Sequence, residues 1–294
     1  MTVPKGRAMY QPNSFGGPRE SLERGFRSHP SEVSGPKLRI RPESFADHYS
    51  QARQFYISQT EVEQGHIAAA LTFELSKVET PAIRARMVSH LRNIDDGLGK
   101  KVATGLRLKE LPEPAPAARP TRQDLKASPA LSIILNGPES FAGRKVGALI
   151  TDGADIDMLK ALKSALEQEG AMLKLVAPMV GGVEASDGTW LEADEKIDGG
   201  PSILFDAVAL LPSQGGAELL AKEPTARDFV ADAFAHMKFI GYVDQALPLL
   251  KKAGVFEELD AGCPPLEAAG DAKNFVANCR KLRFWQREAR VKQV

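Results

Sequence analysis

The chain has 294 residues, enough for a buried core in one or two domains, with an ordinary globular balance of 43% apolar and 26% charged residues. Its 38 basic and 38 acidic side chains cancel overall, but residues 131–270 carry 22 Asp+Glu against 11 Lys+Arg, which argues against nucleic acid as the main partner because phosphate contacts need an excess of cations. No run of eighteen apolar residues suggests a membrane-spanning helix, the amino terminus has no apolar signal core, and Cys263 and Cys279 make no disulfide framework but fit a reducing cytoplasm.

Residues 1–44 are rich in Pro, Gly, Arg and Ser and show little periodicity, which predicts an extended arm that needs a surface to lie on. Residues 45–108 predict a small all-α segment. Ser44 with Asp47 marks the start of a first helix running to about Tyr56. Over 58–78, Val62, Ile67, Ala70, Leu71, Leu75 and Val78 form one apolar stripe, and Thr60 with Glu63 reads as a capping box. A third helix opens at Thr80-Pro81 and runs to about Gly105. KELPEPAPAARPTRQDLKASP (109–129) reads as a semi-rigid, exposed spacer, so 109–130 is the linker and the expected first site of proteolysis.

From 131 to 294, strand and helix signals alternate. RKVGALIT (144–151), AMLKLVAP (171–178), DAVALLP (206–212) and KFIGYV (238–243) read as strands, and VEASDGTWL (183–191) as a hairpin around Asp187-Gly188. Helices are expected over Asp155 to Glu169, from a Thr225 cap to about His236, over 245–253, and from Asp271 to about Arg290. Near-continuous apolar strands alternating with helices predict an α/β fold, a doubly wound, mainly parallel, flavodoxin-like sheet covered on both faces.

Several side chains invite a chemical reading. His66 and Glu74 lie eight residues apart, ~12 Å along a helix, too far to share a proton. In TDGADID (151–157), Asp152, Asp155 and Asp157 would repel a phosphate, and no glycine-rich nucleotide motif is present. The glycines of LLPSQGGAELL (210–220) suit either an oxyanion pocket or a plain turn. The next strand exit, IGYVDQA (240–246), offers Val243 and Asp244 where a nucleophilic Cys or Ser is required. Cys263 and Cys279 read as buried apolar thiols. His29, His48, His66, His90 and His236 show no metal-ligand spacing. RKLRFWQREAR (280–290) mixes basic and aromatic residues, with Leu282 and Trp285 completing a packing face. No catalytic, cofactor-binding or metal-ligating set emerges.

Four dissimilar segments in order, MTVPKGRAMYQPNSFGGP (1–18), HYSQARQFYISQTEVEQGHI (48–67), LTFELSKVETPAIRARMVSHL (71–91) and a domain from about Leu131, resemble the carboxyl-terminal part of a large-subunit haem catalase. The resemblance begins at Met1, as if an internal methionine had become a start. It implies haem-dependent disproportionation of hydrogen peroxide for the family, a tetramer, and a class I glutamine-amidotransferase-like domain over 131–294. In that family the distal histidine and asparagine and the Arg-x-x-x-Tyr helix lie upstream of the matched region. The chain is therefore expected to be non-catalytic and to bind no haem. It would stabilise the subunit, pack against a catalase core or further copies, and border an access route to haem. Arg53-Gln54-Phe55-Tyr56 imitates the haem-tyrosine motif, but four residues after Arg53 stands Ile57. Resemblance of the terminal domain to intracellular proteases implies a nucleophile at the IGYVDQA turn aided by an acid matching Asp155, and Val243 stands at the nucleophile position. Two other readings stay open: a stand-alone intracellular-protease-type hydrolase or glyoxalase-like enzyme, and a holdase-like interaction module.

Overall fold

In the computed structural model, which describes residues 30–291, the chain divides into two units, Met1–Asp47 and His48–Val294. In the first, residues 30–42 have no regular secondary structure and Glu43–Ala46 form one 3-10 turn, with the Arg41 guanidinium 5.5 Å from the Phe45 ring centre. The remainder of the expected arm, residues 1–29, lies outside the described residues.

The second unit opens with helices α1 (Ser50–Ile57), α2 (Glu61–Ser76), α3 (Pro81–Ile94) and α4 (Asp96–Gly105). The Ser44 start is not used: α1 begins after Tyr49, which supplies no side-chain cap. The expected helix over 80–105 is two helices. Asp95 breaks it by adopting an extended conformation (φ −156°, ψ 127°), and its carboxylate accepts Leu98 N–H at 3.1 Å. The break costs helical bonds but supplies an N-cap and lets α4 pack on α2 and α3. Tyr56, Leu75, Val88, Leu91, Leu98 and Val102 make the buried core of this region. The α2 stripe is shallower than its periodicity suggests, since Ile67 and Leu71 are only partly buried. Phe55 and Ile83 stay exposed.

The capping box forms: Glu63 Oε2 accepts Thr60 N–H at 2.8 Å and Thr60 Oγ1 accepts Glu63 N–H. The same carboxylate accepts the Ser132 hydroxyl at 2.7 Å and Ile134 N–H at 3.1 Å, tying α2 to the chain 70 residues on. Burial alone would raise the Glu63 pKa, but the bonds its carboxylate accepts from Thr60 N–H, Ser132 Oγ, Ile134 N–H and Thr60 Oγ1 (3.0 Å) bring it from 4.5 down to about 2. A depressed carboxylate stabilises the fold fully above its unfolded pKa, and that stabilisation disappears as pH falls through the folded value. Glu63→Gln should therefore cost about 1–2 kcal/mol at pH 7, discounted for its partial exposure. Urea melts should show the gap to wild type narrowing between pH 4.5 and about 2; a constant gap would refute the assignment.

The proline-rich spacer has largely exposed side chains, but its backbone is not free. Ala115 N–H donates to Ser89 O (3.1 Å), Arg92 Nη1 to Pro112 O (2.7 Å), Arg122 N–H to Ser50 Oγ (2.9 Å) and Ser128 N–H to Ser58 Oγ (2.8 Å). It is strapped along the helices, which removes the physical basis for expecting easy nicking there. A short helix α5 (Ile133–Asn136) follows.

The α/β region runs β1 (Lys145–Ile150), α6 (Ile156–Gln168), β2 (Met172–Ala177), β3 (Val183–Glu184), β4 (Trp190–Leu191), β5 (Glu195–Lys196), β6 (Ala207–Leu211), α7 (Gln214–Leu220), α8 (Pro224–Ala235), β7 (Ile240–Tyr242), α9 (Leu247–Lys252), α10 (Asp271–Cys279) and α11 (Glu288–Val291). Strands β5-β2-β1-β6-β7 form one sheet in that order, all pairs parallel, while β3 and β4 make the separate antiparallel hairpin. The two-residue edge strand β5 is absent from the sequence reading because its EK carries no apolar signal. Strand alternation sorts the core. Val146, Ala148, Ile150, Ala207, Ala209 and Leu211 join the layer formed with α6 and α10. Leu149, Val208 and Leu210 join the layer formed with α8 and α9. Both faces are thus covered, which is why these strands read as continuous apolar runs.

Two helix readings need correction. Thr225 is not the cap of α8: Glu223 precedes the helix and Pro224 takes its first position, where a missing N–H costs nothing. The expected helix from Asp271 to Arg290 stops at Cys279. Leu282 adopts φ 65°, Phe284 N–H donates to Met237 O at 2.7 Å, and a 3-10 turn over Trp285–Arg287 leads into α11. A left-handed leucine is costly; the detour buries Arg287 completely.

Candidate functional site

Ligands of open parallel sheets sit at the carboxyl ends of the strands, where strand order reverses. Here the reversal lies between β1 and β6, and a cleft of ≈570 Å³ opens beside it. Asp155, Ser213, Val243, Asp244, Gln245 and Glu267 contribute to its lining. All but Glu267, which lies in the loop ahead of α10, come from strand exits, so the TDGADID, LLPSQGGAELL and IGYVDQA segments do converge, as parallel strands require.

The Asp155 and Ser213 side chains are committed to structure. Asp155 caps α6, accepting Asp157 N–H at 2.9 Å and Met158 N–H at 3.2 Å. Ser213 caps α7 by accepting Gly216 N–H at 3.2 Å, and its own N–H donates to Thr151 Oγ1 at 3.0 Å. Val243 lies in extended backbone (φ −90°, ψ 155°) with its N–H donated to Leu210 O at 3.1 Å. A nucleophile elbow needs a sharp, strained strand-to-helix turn. The described non-glycine residues with positive φ are Arg107, Met237 and Leu282, so the β7 exit has neither the side chain nor the backbone for one. Among the described residues no histidine lines the cleft. Among the described residues three carboxylates, Asp155, Asp244 and Glu267, and no basic side chain line it, a lining that disfavours anions.

The thiols are equally remote from chemistry. Burial pushes Cys263 up to about 12, and Arg287 Nη2 donates to its sulfur at 3.3 Å. Burial likewise raises Cys279 well above the ordinary thiol range. A nucleophilic cysteine needs the opposite shift. Among the described residues no group of three His, Cys, Asp or Glu could hold a metal, and no helix is long and apolar enough to cross a membrane.

His66 has a carboxylate partner that its local sequence does not contain: its Nε2 lies 2.6 Å from Glu288 Oε1, with the Trp285 ring centre 5.6 Å away. Glu74 instead pairs with Lys77 at 2.9 Å. The contact spans 222 residues and joins α2 to α11. His90 Nδ1 sits 2.8 Å from the Tyr49 hydroxyl, and His236 Nδ1 sits 2.7 Å from Asp232 O. His29 lies outside the described residues.

Residues 142–289 match the family of the C-terminal domain found in long catalases, and residues 42–106 match the catalase-related immune-responsive family. The chain belongs to the long-catalase family. Catalase C of Rhizobium meliloti (strain 1021) is 61% identical over 293 residues, covering 99% of this chain and 42% of that relative. Catalase HPII of Mycobacterium avium is 35% identical over 302 residues, covering 97% of this chain and 42% of its own length. Catalase HPII of Pseudomonas aeruginosa is 36% identical over 304 residues, covering 100% and 42%. The chain thus spans about two fifths of the length of these long catalases, and corresponds to their C-terminal part.

Catalases of this family imply haem, so the tyrosines are the test. A tyrosinate ligand needs a depressed phenol pKa and a neighbouring arginine. Burial, reinforced by Asp95, raises Tyr56 instead, and Arg53 is drawn away to Asp95 (3.2 Å) and Ile94 O (3.0 Å). Burial, then Cys263 and nearby carboxylates, raises Tyr242. The Tyr49 hydroxyl is engaged by His90. The described residues do not fit a haem site; Tyr10 lies outside them.

Proposed function

We propose that this chain is the carboxyl-terminal portion of a long catalase and contributes structure and assembly rather than chemistry. In the full-length family the reaction is haem-dependent disproportionation of hydrogen peroxide. The portion represented here would stabilise the subunit, contribute to tetramer packing against a catalase core or further copies, and border an access route to haem. Its parts are an arm (1–44), a helical segment (45–108), a strap-like linker (109–130) and a flavodoxin-like, class I glutamine-amidotransferase-like domain (131–294). A cytoplasmic setting suits the two free thiols.

The observation that carries this reading is the switch-point cleft of a chain otherwise so close to catalases. It lies where an amidotransferase-like domain would do its chemistry, yet Val243 occupies the nucleophile position in relaxed backbone. Fold analogy does not restore an activity whose atoms are missing. Titration of the 294-residue chain with hemin tests the proposal. The expected result is no stoichiometric Soret band and no oxygen evolution from hydrogen peroxide. A saturable Soret band accompanied by oxygen release would overturn it.

A further inference from the structure

At the opposite end of the sheet from the switch-point cleft, a cavity of ≈400 Å³ opens between segments 133–139 and 280–286. Its position follows from the break after α10: Phe284 N–H bonds Met237 O and Arg283 Nη1 bonds Asp206 O, both just before strands β7 and β6 begin. Ile133, Ile134, Phe284 and Trp285 give it apolar walls, and Lys281 and Arg283 also line it. Ile133 is 83% exposed, an apolar side chain left in water beside two cations.

Charge in this cavity is unbalanced. Arg283 is half-buried, and Nη1 is anchored by Asp206 O at 3.1 Å and Leu282 O at 2.7 Å. Its remaining guanidinium N–H groups have no acceptor among the described residues, and no carboxylate pairs with Arg283 or Lys281 there. The nearby carboxylates are taken: Asp206 by Arg144 at 2.9 Å, and Glu169 by Arg280 through bonds of 3.0 and 2.6 Å. Among the described residues Glu139 is the one carboxylate in the lining. Asp206 attracts Arg283 electrostatically but its carboxylate does not bond it; a partly desolvated guanidinium with no carboxylate bonded to it is costly, and its planar fork matches one.

We propose that this cavity binds a small amphipathic monocarboxylate. The carboxylate lies on the Arg283 fork with Lys281 beside it, and an aromatic or short aliphatic body packs against Trp285, Ile133 and Ile134. The volume falls within the range of small-molecule pockets. Two unpaired cations against Glu139 balance one negative charge, so a dianionic phosphate is under-compensated. The proposal is independent of the reading of the chain as a catalase portion.

The test uses the full chain carrying Trp190→Phe, which leaves Trp285 as its sole tryptophan. 4-Phenylbutyrate and the neutral 4-phenylbutan-1-ol are titrated while tryptophan emission is followed, with calorimetry on the unmodified chain. The acid should saturate the Trp285 signal below about 1 mM, and the alcohol should bind at least about tenfold more weakly. Lys281→Gln, at an exposed position, should weaken the acid by about threefold, and Arg283→Gln by about tenfold or more. Arg283→Lys keeps the charge but loses the fork, and should fall between wild type and Arg283→Gln. Failure to saturate by about 10 mM, equal affinity for acid and alcohol, or unchanged acid binding in both Lys281→Gln and Arg283→Lys would overturn the site.

Discussion

Arg287→Ala is expected to lower the unfolding free energy by about 3–5 kcal/mol, read by urea titration at pH 7. Arg287 is fully buried, and its guanidinium makes two bonds to Asp260 at 2.8 and 2.9 Å. It also donates to Lys238 O at 2.8 Å, to Phe234 O at 3.2 Å and to Cys263 Sγ at 3.3 Å, and lies 4.2 Å from the Phe234 ring centre. Truncation would leave the largely buried Asp260 carboxylate with only Gly262 N–H (2.8 Å) and the half-exposed Arg290 as partners. Burial alone would raise the Asp260 pKa, and it is Arg287, with help from Gly262 N–H and Arg290, that brings it below the usual range. The predicted loss is comparable to the smaller stability margins of whole domains. Arg290 bonds the same carboxylate at 2.7 Å but is 42% exposed, so Arg290→Ala should cost under about 1 kcal/mol. Equal losses for the two variants would show that burial is not what gives Arg287 its weight.

Gly147→Ala should cost about 2–3 kcal/mol although it adds one methyl group to the middle of β1. A Cβ there would stand 2.3 Å from Cδ2 of Phe205. That ring is 4% exposed and sits 6.2 Å from the Phe229 ring centre, so it has little room to withdraw. Phe205→Leu in the same chain should recover part of the loss, giving a coupling energy of about 1 kcal/mol or more in a double-mutant cycle. Gly215, in exposed helix with nothing within 4 Å of its would-be Cβ, is the control: Gly215→Ala should be stabilising by about 0.5–1 kcal/mol. Additive behaviour of Gly147→Ala and Phe205→Leu would mean that glycine is there for another reason.

Gly147 also marks a limit of reading strands from sequence. In KVGALI the glycine looks like a weak point in an otherwise apolar run. Only the fold shows that a phenylalanine arriving 58 positions later fills the space it leaves. The same holds for Asp95: within DDG it looks like one more polar residue of a long helix. It becomes a helix break because Leu98 N–H and Arg53 converge on its carboxylate.

Much of the molecule was determined by local sequence alone. Near-continuous apolar runs place β1 and β6 and the period of 3.6 places α6, because burial on both sheet faces leaves a continuous apolar run. Thr60 with Glu63 and Asp187-Gly188 mark a capping box and a hairpin whose partners lie within a few residues, so no distant information is needed. The presence of Val243 and Asp244 at the switch-point cleft was also legible, since parallel strand exits converge wherever such a sheet forms. Tertiary structure alone decided the rest. It paired His66 with Glu288 and Arg287 with Asp260, strapped the proline-rich segment to the helices, and turned Leu282 left-handed so that Arg287 could be buried. These are contacts between residues far apart in the chain, and their energies exceed the local preferences they override.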